Sequence, residues 1–262
     1  MFDLVHIRLV GSGLQNFAKT MQDVEECLKP GGIALFMDVD YDMYSEDQRV
    51  YIPFALEDDD VECERSWFQR IVYEMRRGAM SSGKSDIYGM SKAMDEGLWE
   101  HPLMDPETCK TGSLYMPIGP WAEASNQIAA QQLKYVGALM RQDLMSAHRA
   151  GHAVMKRIGW PPETLAKWSS KADEQMMKTN PRTWIRMRYA WGRRRAGENQ
   201  PAPALATPPG IHADDPEVPY PHFNVYGSKE ESLAETKLRN RGKDLPVPPL
   251  PIASVTPTPA QT

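Results

Sequence analysis

Phe2-Asp-Leu-Val-His-Ile-Arg-Leu-Val10 and Leu28-Lys-Pro-Gly-Gly-Ile-Ala-Leu-Phe-Met-Asp38 are the stretches that decide the fold. The first is rich in β-formers and apolar on both faces apart from His6 and Arg8, the pattern of a strand covered on both sides in a parallel sheet. Gly11-Ser-Gly13 breaks that strand. Phe17, Thr20, Met21, Val24, Cys27 and Leu28 then recur at helical spacing, which predicts a helix of about three turns with one buried stripe. Lys29-Pro-Gly-Gly32 ends the helix, because proline disfavours helical geometry in the residue before it and glycine supplies the positive φ of a tight exit. Ile33-Ala-Leu-Phe-Met37 reads as a second buried strand with Asp38 at its carboxyl end. A strand, helix and parallel strand should join with a right-handed crossover. Ligand chemistry is then expected at the carboxyl ends, around Arg8 to Ser12 and Asp38 to Tyr41.

Working outward, Trp67, Phe68, Ile71, Val72 and Met75 predict another amphipathic helix, after a long exposed connection over 41–65 that holds the acidic run Glu57-Asp-Asp-Asp60. Residues 122–178 are strongly helical in composition, interrupted at Gly159-Trp-Pro-Pro162, where a proline would start the next helix. Gly112-Ser-Leu-Tyr-Met-Pro-Ile118 and Thr183-Trp-Ile-Arg-Met-Arg-Tyr-Ala-Trp191 read as strands. Beyond Gly197 lie 13 of the 22 prolines. Residues 1–196 are therefore read as the folded part and 197–262 as a proline-rich, mostly disordered tail with one short helix over 229–241. Pro201-Ala-Pro203 and Leu245-Pro-Val-Pro-Pro-Leu-Pro251 favour extended polyproline II geometry, either as a solvated tail or as a PxxP ligand for a partner domain.

The chain has 262 residues, 41% of them hydrophobic, enough to bury a core, and a formal charge of −5. That acidic balance argues against a generally basic surface for nucleic acid. Cys27, Cys63 and Cys109 make no CxxC pair and no disulfide framework, which fits a reducing compartment, cytoplasmic or nuclear. The N-terminus shows no signal peptide, and nowhere do about 18 apolar residues run together to span a membrane.

The segment Phe2-Asp-Leu-Val-His-Ile-Arg8, a helix, and then Leu28-Lys-Pro-Gly-Gly-Ile-Ala-Leu-Phe-Met-Asp38 resembles the post-cofactor motifs of class I S-adenosylmethionine-dependent methyltransferases. There a strand of this type leads through a helix and an LKPGG turn into the fifth strand. Gly119-Pro-Trp121, Gly137-Ala-Leu-Met140 and the stretch 188–193 resemble the distal part of the fungal branch, which includes regulators of secondary metabolism. The resemblance implies an α/β fold: a partial Rossmann-like sheet, strands four to seven of seven, the last inserted antiparallel, with 122–178 as a helical cap over the substrate side. It also implies S-adenosyl-L-methionine as cofactor. The family's glycine-rich turn after strand one and its acidic residue after strand two would precede Met1, so the expectation is an N-terminally truncated enzyme with weak or no activity alone. Gly11-Ser-Gly13 follows the wrong strand to replace that turn. Strand 2–10 becomes an edge, inviting a partner chain. His6 and Arg8 share one face of it and, by the resemblance, are cofactor-proximal candidates. No catalytic residue is named, because methyl transfer proceeds largely by positioning, and the methyl acceptor, small molecule or protein, is not legible.

Three other patterns compete. Gly78-Ala-Met-Ser-Ser-Gly-Lys-Ser85 matches the phosphate-loop pattern GxxxxGK(S/T) and makes a nucleotide-binding protein an alternative, but a helical period precedes it where a strand is needed. His148 and His152 stand four apart, as zinc ligands do, without a glutamate between them or a third ligand; they read as surface histidines and no metal is expected. Arg182, Arg186, Arg188 and Arg193 to Arg195 alternate with Trp184, Tyr189 and Trp191, either as a stacking cationic patch or as the two faces of an ordinary strand. A non-catalytic interaction module, with a completed sheet edge and a docking tail, is the remaining alternative.

Overall fold

The predicted strand, helix and strand open the computed structural model, which describes residues 1–51, 66–81, 83, 85–196 and 220–239. Strand β1 (Phe2–Arg8) leads through Gly11–Gly13 to helix α1 (Phe17–Cys27), whose N-terminus is capped by the Asn16 side chain accepting from Lys19 N–H. Met21 and Val24 are its buried stripe. The helix ends earlier than the glycine pair predicts, with Leu28 in extended geometry as its C-cap, and the positive φ of Gly31, 76°, falls inside the strand that follows. β2 (Leu28–Tyr44) runs parallel to β1 and is far longer than the predicted five-residue strand. The extension through Tyr44 overturns the reading of 41–44 as exposed connection.

The remaining elements are α2 (Trp67–Ser81), α3 (Ile87–Glu96), β3 (Met104–Pro117), α4 (Gln127–Ala150), α5 (His152–Arg157), α6 (Pro162–Lys178), β4 (Trp184–Arg194), β5 (Phe223–Tyr226) and α7 (Lys229–Arg239). Pro162 starts α6, as its fixed φ favours. The helix α3 has no counterpart in the sequence reading. Its N-cap Asp86 also accepts from Phe17 N–H at 2.8 Å, so one carboxylate sets the start of two helices. The predicted helix at 229–241 is α7, but β5 joins the sheet and α7 is bonded to Asp95 of α3, so 220–239 belong with the fold rather than with a tail. The acidic run 57–60 and the proline stretches 201–203 and 245–251 lie outside the described residues.

The sheet is open and mixed, in the order β1-β2-β4-β3-β5. β4 enters antiparallel between β2 and β3, and β5 pairs antiparallel with β3. Because side chains alternate across a strand, the sheet buries apolar clusters on both faces. On one face, Ala34, Phe36 and Ala190 pack with Met21 and Val24 of α1 and Met90 and Met94 of α3. On the other, Met43 and Ile185 pack with Phe68 and Ile71 of α2, Leu144 of α4, Met155 of α5 and Leu165 and Trp168 of α6. Each large apolar side chain so buried contributes roughly 1.5–3 kcal/mol.

β1 departs from its prediction on one point. It was read as covered on both faces, yet Phe2 is 61% and Leu4 54% exposed; only Val5 and Ile7 turn inward, toward the α1 side. Among the described residues β1 pairs with β2 alone, which makes it a sheet edge.

Candidate functional site

The carboxyl ends of β1 and β2, where ligand chemistry is expected, border a cavity of about 90 Å³ lined by Gly11, Asp38, Asp40, Asp42, Arg186 and Arg188 among others. β2 runs on past Met37 and carries Asp38, Asp40 and Asp42 at a period of two, all on one face and all buried. β4 answers with Arg188 and Arg186 at the same period, and Arg188 is the register partner of Asp38. Helices α2, α3 and α7 close the space with Arg76, Met90, Ser91, Asp95 and Thr236.

Each charge has a distinct environment. Asp40 accepts from Arg186 Nε at 3.1 Å and Nη2 at 2.5 Å, and from the Tyr44 hydroxyl. Arg186 also lies over the Tyr44 ring at 5.0 Å. Burial pushes the Tyr44 phenol well above its ordinary range. Asp42 accepts from Gln69 Nε2 at 2.9 Å and forms an ion pair with Arg76 at 3.3 Å. Arg188 donates to Ser91 Oγ and to the Ser91 carbonyl, both at 3.1 Å, and pairs with Asp95. Asp95 in turn accepts from Thr236 Oγ1 at 2.6 Å, which ties α7 to α3 across the cavity.

Asp38 differs from its neighbours. Its Oδ2 accepts from Gly11 N–H at 2.7 Å and its Oδ1 from Val39 N–H at 2.7 Å. Burial nevertheless raises its pKa; the two backbone bonds and the nearby Arg188 only partly offset that. Desolvation favours the neutral carboxyl and backbone donors the ionised one, and here burial prevails. A carboxyl with a raised pKa at a cavity wall can take a proton from a ligand hydroxyl or amine. Glycine is required opposite it, since a Cβ at Gly11 would lie 2.7 Å from Asp38 Oδ2.

His6 and Arg8 do not line this cavity. Their register partners are Leu35 and Met37, which places both on the face opposite Asp38, and both are exposed. The helices of 122–178 also lie on that opposite face, so they do not cap the cavity; α3 and α7 do.

The phosphate-loop pattern breaks up. Gly78 to Ser81 are the last turn of α2, Ser85 Oγ donates to the Gly11 carbonyl at 3.4 Å, and Lys84 lies outside the described residues. No strand feeds the loop, as phosphate binding of that kind needs.

The two histidines are not on the surface as a pair. The helix breaks at Gly151, where a Cβ would lie 2.4 Å from Met75 Sδ. His148 is buried, with Nε2 2.9 Å from Asp173, and His152 Nε2 is 2.8 Å from Ser169 Oγ. Among the described residues no group of three His, Cys, Asp or Glu is placed to hold a metal ion.

The distal arginines serve the fold. Arg182 pairs with Glu46, Arg193 donates to the Gly31 carbonyl, Arg194 to the Glu25 carbonyl and Arg195 to the Pro102 carbonyl. Cys109 is buried, and desolvation pushes its thiol up to about 11. Among the described residues no helix is long and apolar enough to cross a membrane.

Sequence reasoning found Asp38 and the Gly11 turn but missed the partners. The signal was present: two aspartates and two arginines, each pair spaced by two, on strands that become neighbours. Compared with models of known protein families the chain matches none, and no curated protein matches it.

Proposed function

We propose that this chain is the distal part of an S-adenosylmethionine-dependent methyltransferase domain, and that its cavity is the acceptor side of the site. The carrying observation is the sheet: a parallel pair β1-β2, with the last long strand β4 inserted antiparallel before β3, as the resemblance of residues 2–38 implies. The cavity supports it, lying where ligands bind in open α/β sheets, at the carboxyl ends of the strands.

The described residues do not fit the cofactor itself. The backbone donors of the glycine turn are spent internally, Gly11 N–H on Asp38 and Gly13 and Leu14 N–H on the Val10 carbonyl. The chain's own residues instead suit an acceptor group: Asp38 takes its proton, and the Arg188–Asp95 and Arg186–Asp40 pairs hold the walls rigid. Positioning of this kind supplies much of the rate in transfer reactions.

Calorimetric titration with S-adenosylhomocysteine tests the reading. Binding weaker than micromolar, or none, is expected from this chain alone; micromolar binding would contradict the assignment of the cavity to the acceptor side. A second reading, an interaction module, is favoured by one observation, the exposed Phe2 and Leu4 on the β1 edge. It predicts concentration-dependent association in sedimentation, abolished by Leu4→Lys; a monomer at every concentration would sink it.

A further inference from the structure

Among the described residues, four carboxylates and three guanidinium groups line the cavity: Asp38, Asp40, Asp42 and Asp95 against Arg76, Arg186 and Arg188. The pairing is one to one. Arg186 holds Asp40 at 2.5 Å, Arg76 holds Asp42 at 3.3 Å, and Arg188 is paired with Asp95. Asp38 is the acid left over. Arg188 stands opposite it in the register and lowers its pKa somewhat, yet the Arg188 nitrogens reach Ser91 and Asp95 rather than Asp38. Asp38 is 4% exposed, and its two hydrogen bonds come from backbone N–H groups, which carry no net charge. With Asp38 ionised, the described lining therefore holds one negative charge more than its cations meet. Burial without a counter-ion is also what raises the Asp38 pKa.

Such an excess selects a ligand. A carboxylate or phosphate would need a guanidinium released from its own aspartate, which leaves an uncompensated charge buried. A neutral hydroxyl would bond to Asp38 and leave the excess unchanged. A protonated amine both donates to the carboxylate and cancels the excess, and charge-assisted bonds of this kind are roughly twice as strong as neutral ones. Folding has already stripped Asp38 of water, so only the ligand's hydration remains to be lost. The rest of the wall suits a carbon stem, with Ile87, Met90 and Met94 buried beside the charges.

Resting on the acceptor-side reading of the cavity, we propose that its ligand is a primary or secondary amine on an apolar stem, bound as the ammonium ion through Asp38. Passing one N–H proton to an Asp38 oxygen then leaves the carboxyl neutral and the nitrogen with a free lone pair, the form in which an amine can accept a methyl group. Asp38 is the residue that selects nitrogen over oxygen. The three completed ion pairs exclude anions.

Titration of the whole chain with n-butylamine, n-butanol and butyrate, followed at the Gly11 and Val39 amides, tests this, because the probes share a stem and differ in charge. At neutral pH butylamine should bind about tenfold more tightly than butanol, and butyrate should leave both amides unmoved. In Asp38→Asn, butylamine should fall to the affinity of butanol. Butanol binding the wild type as tightly as butylamine, or an amine preference that survives in Asp38→Asn, would overturn the amine assignment and leave the acceptor site standing. If none of the three probes moves these amides, the acceptor-side reading falls with it. A measurement on the unaltered chain covers the case of a variant that does not fold. With the pH set at the midpoint of the Asp38 titration, the Asp38 carboxyl carbon should move toward its ionised chemical shift on adding butylamine and stay in place with butanol; no movement with butylamine would also overturn the proposal.

Discussion

Replacing Arg186 by methionine removes one cation from a buried cluster and leaves its partner behind. The Arg186 and Asp40 side chains are 2% and 8% exposed, so water cannot take over the carboxylate. Breaking a buried pair from one side costs about 3–5 kcal/mol, because an uncompensated charge stays inside. The cation above the Tyr44 ring adds about 2 kcal/mol to the upper end when desolvated. For a chain of this size each kcal/mol moves the melting temperature by about 2–4 °C, so Arg186→Met should melt roughly 6–28 °C lower. The informative comparison is the double variant Arg186→Met with Asp40→Asn. It removes both charges but keeps an acceptor oxygen for the Tyr44 hydroxyl, and should recover most of the loss. Scanning calorimetry and urea unfolding at neutral pH measure both. A single variant losing less than about 1 kcal/mol, or a double variant no better than the single, would refute the claim that this pair is a coupled, desolvated unit.

Asp38→Asn tests the raised pKa of the cavity carboxyl. Because the folded state takes up this proton at a higher pH than the unfolded chain, the group's contribution to stability falls as pH rises from the ordinary value of 3.8 through the folded pKa. The stability of wild type relative to Asp38→Asn should therefore decline with rising pH across that window in paired urea titrations; a difference that grows would mean that the hydrogen bonds, not burial, dominate. His148 works in the opposite sense. Burial holds its pKa below the ordinary 6.5, so its contribution is complete above that value and is lost as pH falls through 6.5 toward the folded pKa. His148→Gln should flatten that part of the stability curve, although His152 and His222, both lowered by burial, will keep some slope. Gly137→Ala should cost about 1–3 kcal/mol by overpacking, since a Cβ there would lie 2.1 Å from the Gly119 carbonyl oxygen and part α4 from the end of β3; full stability in thermal melts would show that the helix can shift freely.

Much of this arrangement was legible in residues 2–38, where apolar period, glycine placement and a terminal aspartate identify strand, helix, strand and the end at which chemistry belongs. The strand's continuation through Asp38-Val-Asp-Tyr-Asp42 was not, because aspartate is depleted in strands and its alternation acquires meaning only opposite Arg186 and Arg188. Those partners are about 150 residues away in sequence, and no local pattern joins them. The same limit hid α3, whose Met90 and Met94 count as a buried stripe only once Phe36 and Ala190 are present to meet them. His6 and Arg8 lie away from the cavity for another reason. Alternation places them correctly on one face, but which face meets the cavity depends on where the helices pack, which β1 alone does not encode. The proline-rich reading beyond 197 missed β5 because Phe-Asn-Val-Tyr is too short to stand as a strand without the β3 edge.

We propose that the cavity at the carboxyl ends of β1 and β2 is the chemical site, with Asp38 facing the reacting group. Amide-resolved NMR titration with a panel of small alcohols, phenols and amines addresses it most directly. Shifts should cluster at the Gly11 and Val39 amides, which donate to the Asp38 carboxylate, with Ser91 beside them, and should be lost in Asp38→Asn. Shifts scattered over the surface, or a cluster that persists unchanged in Asp38→Asn, would contradict it.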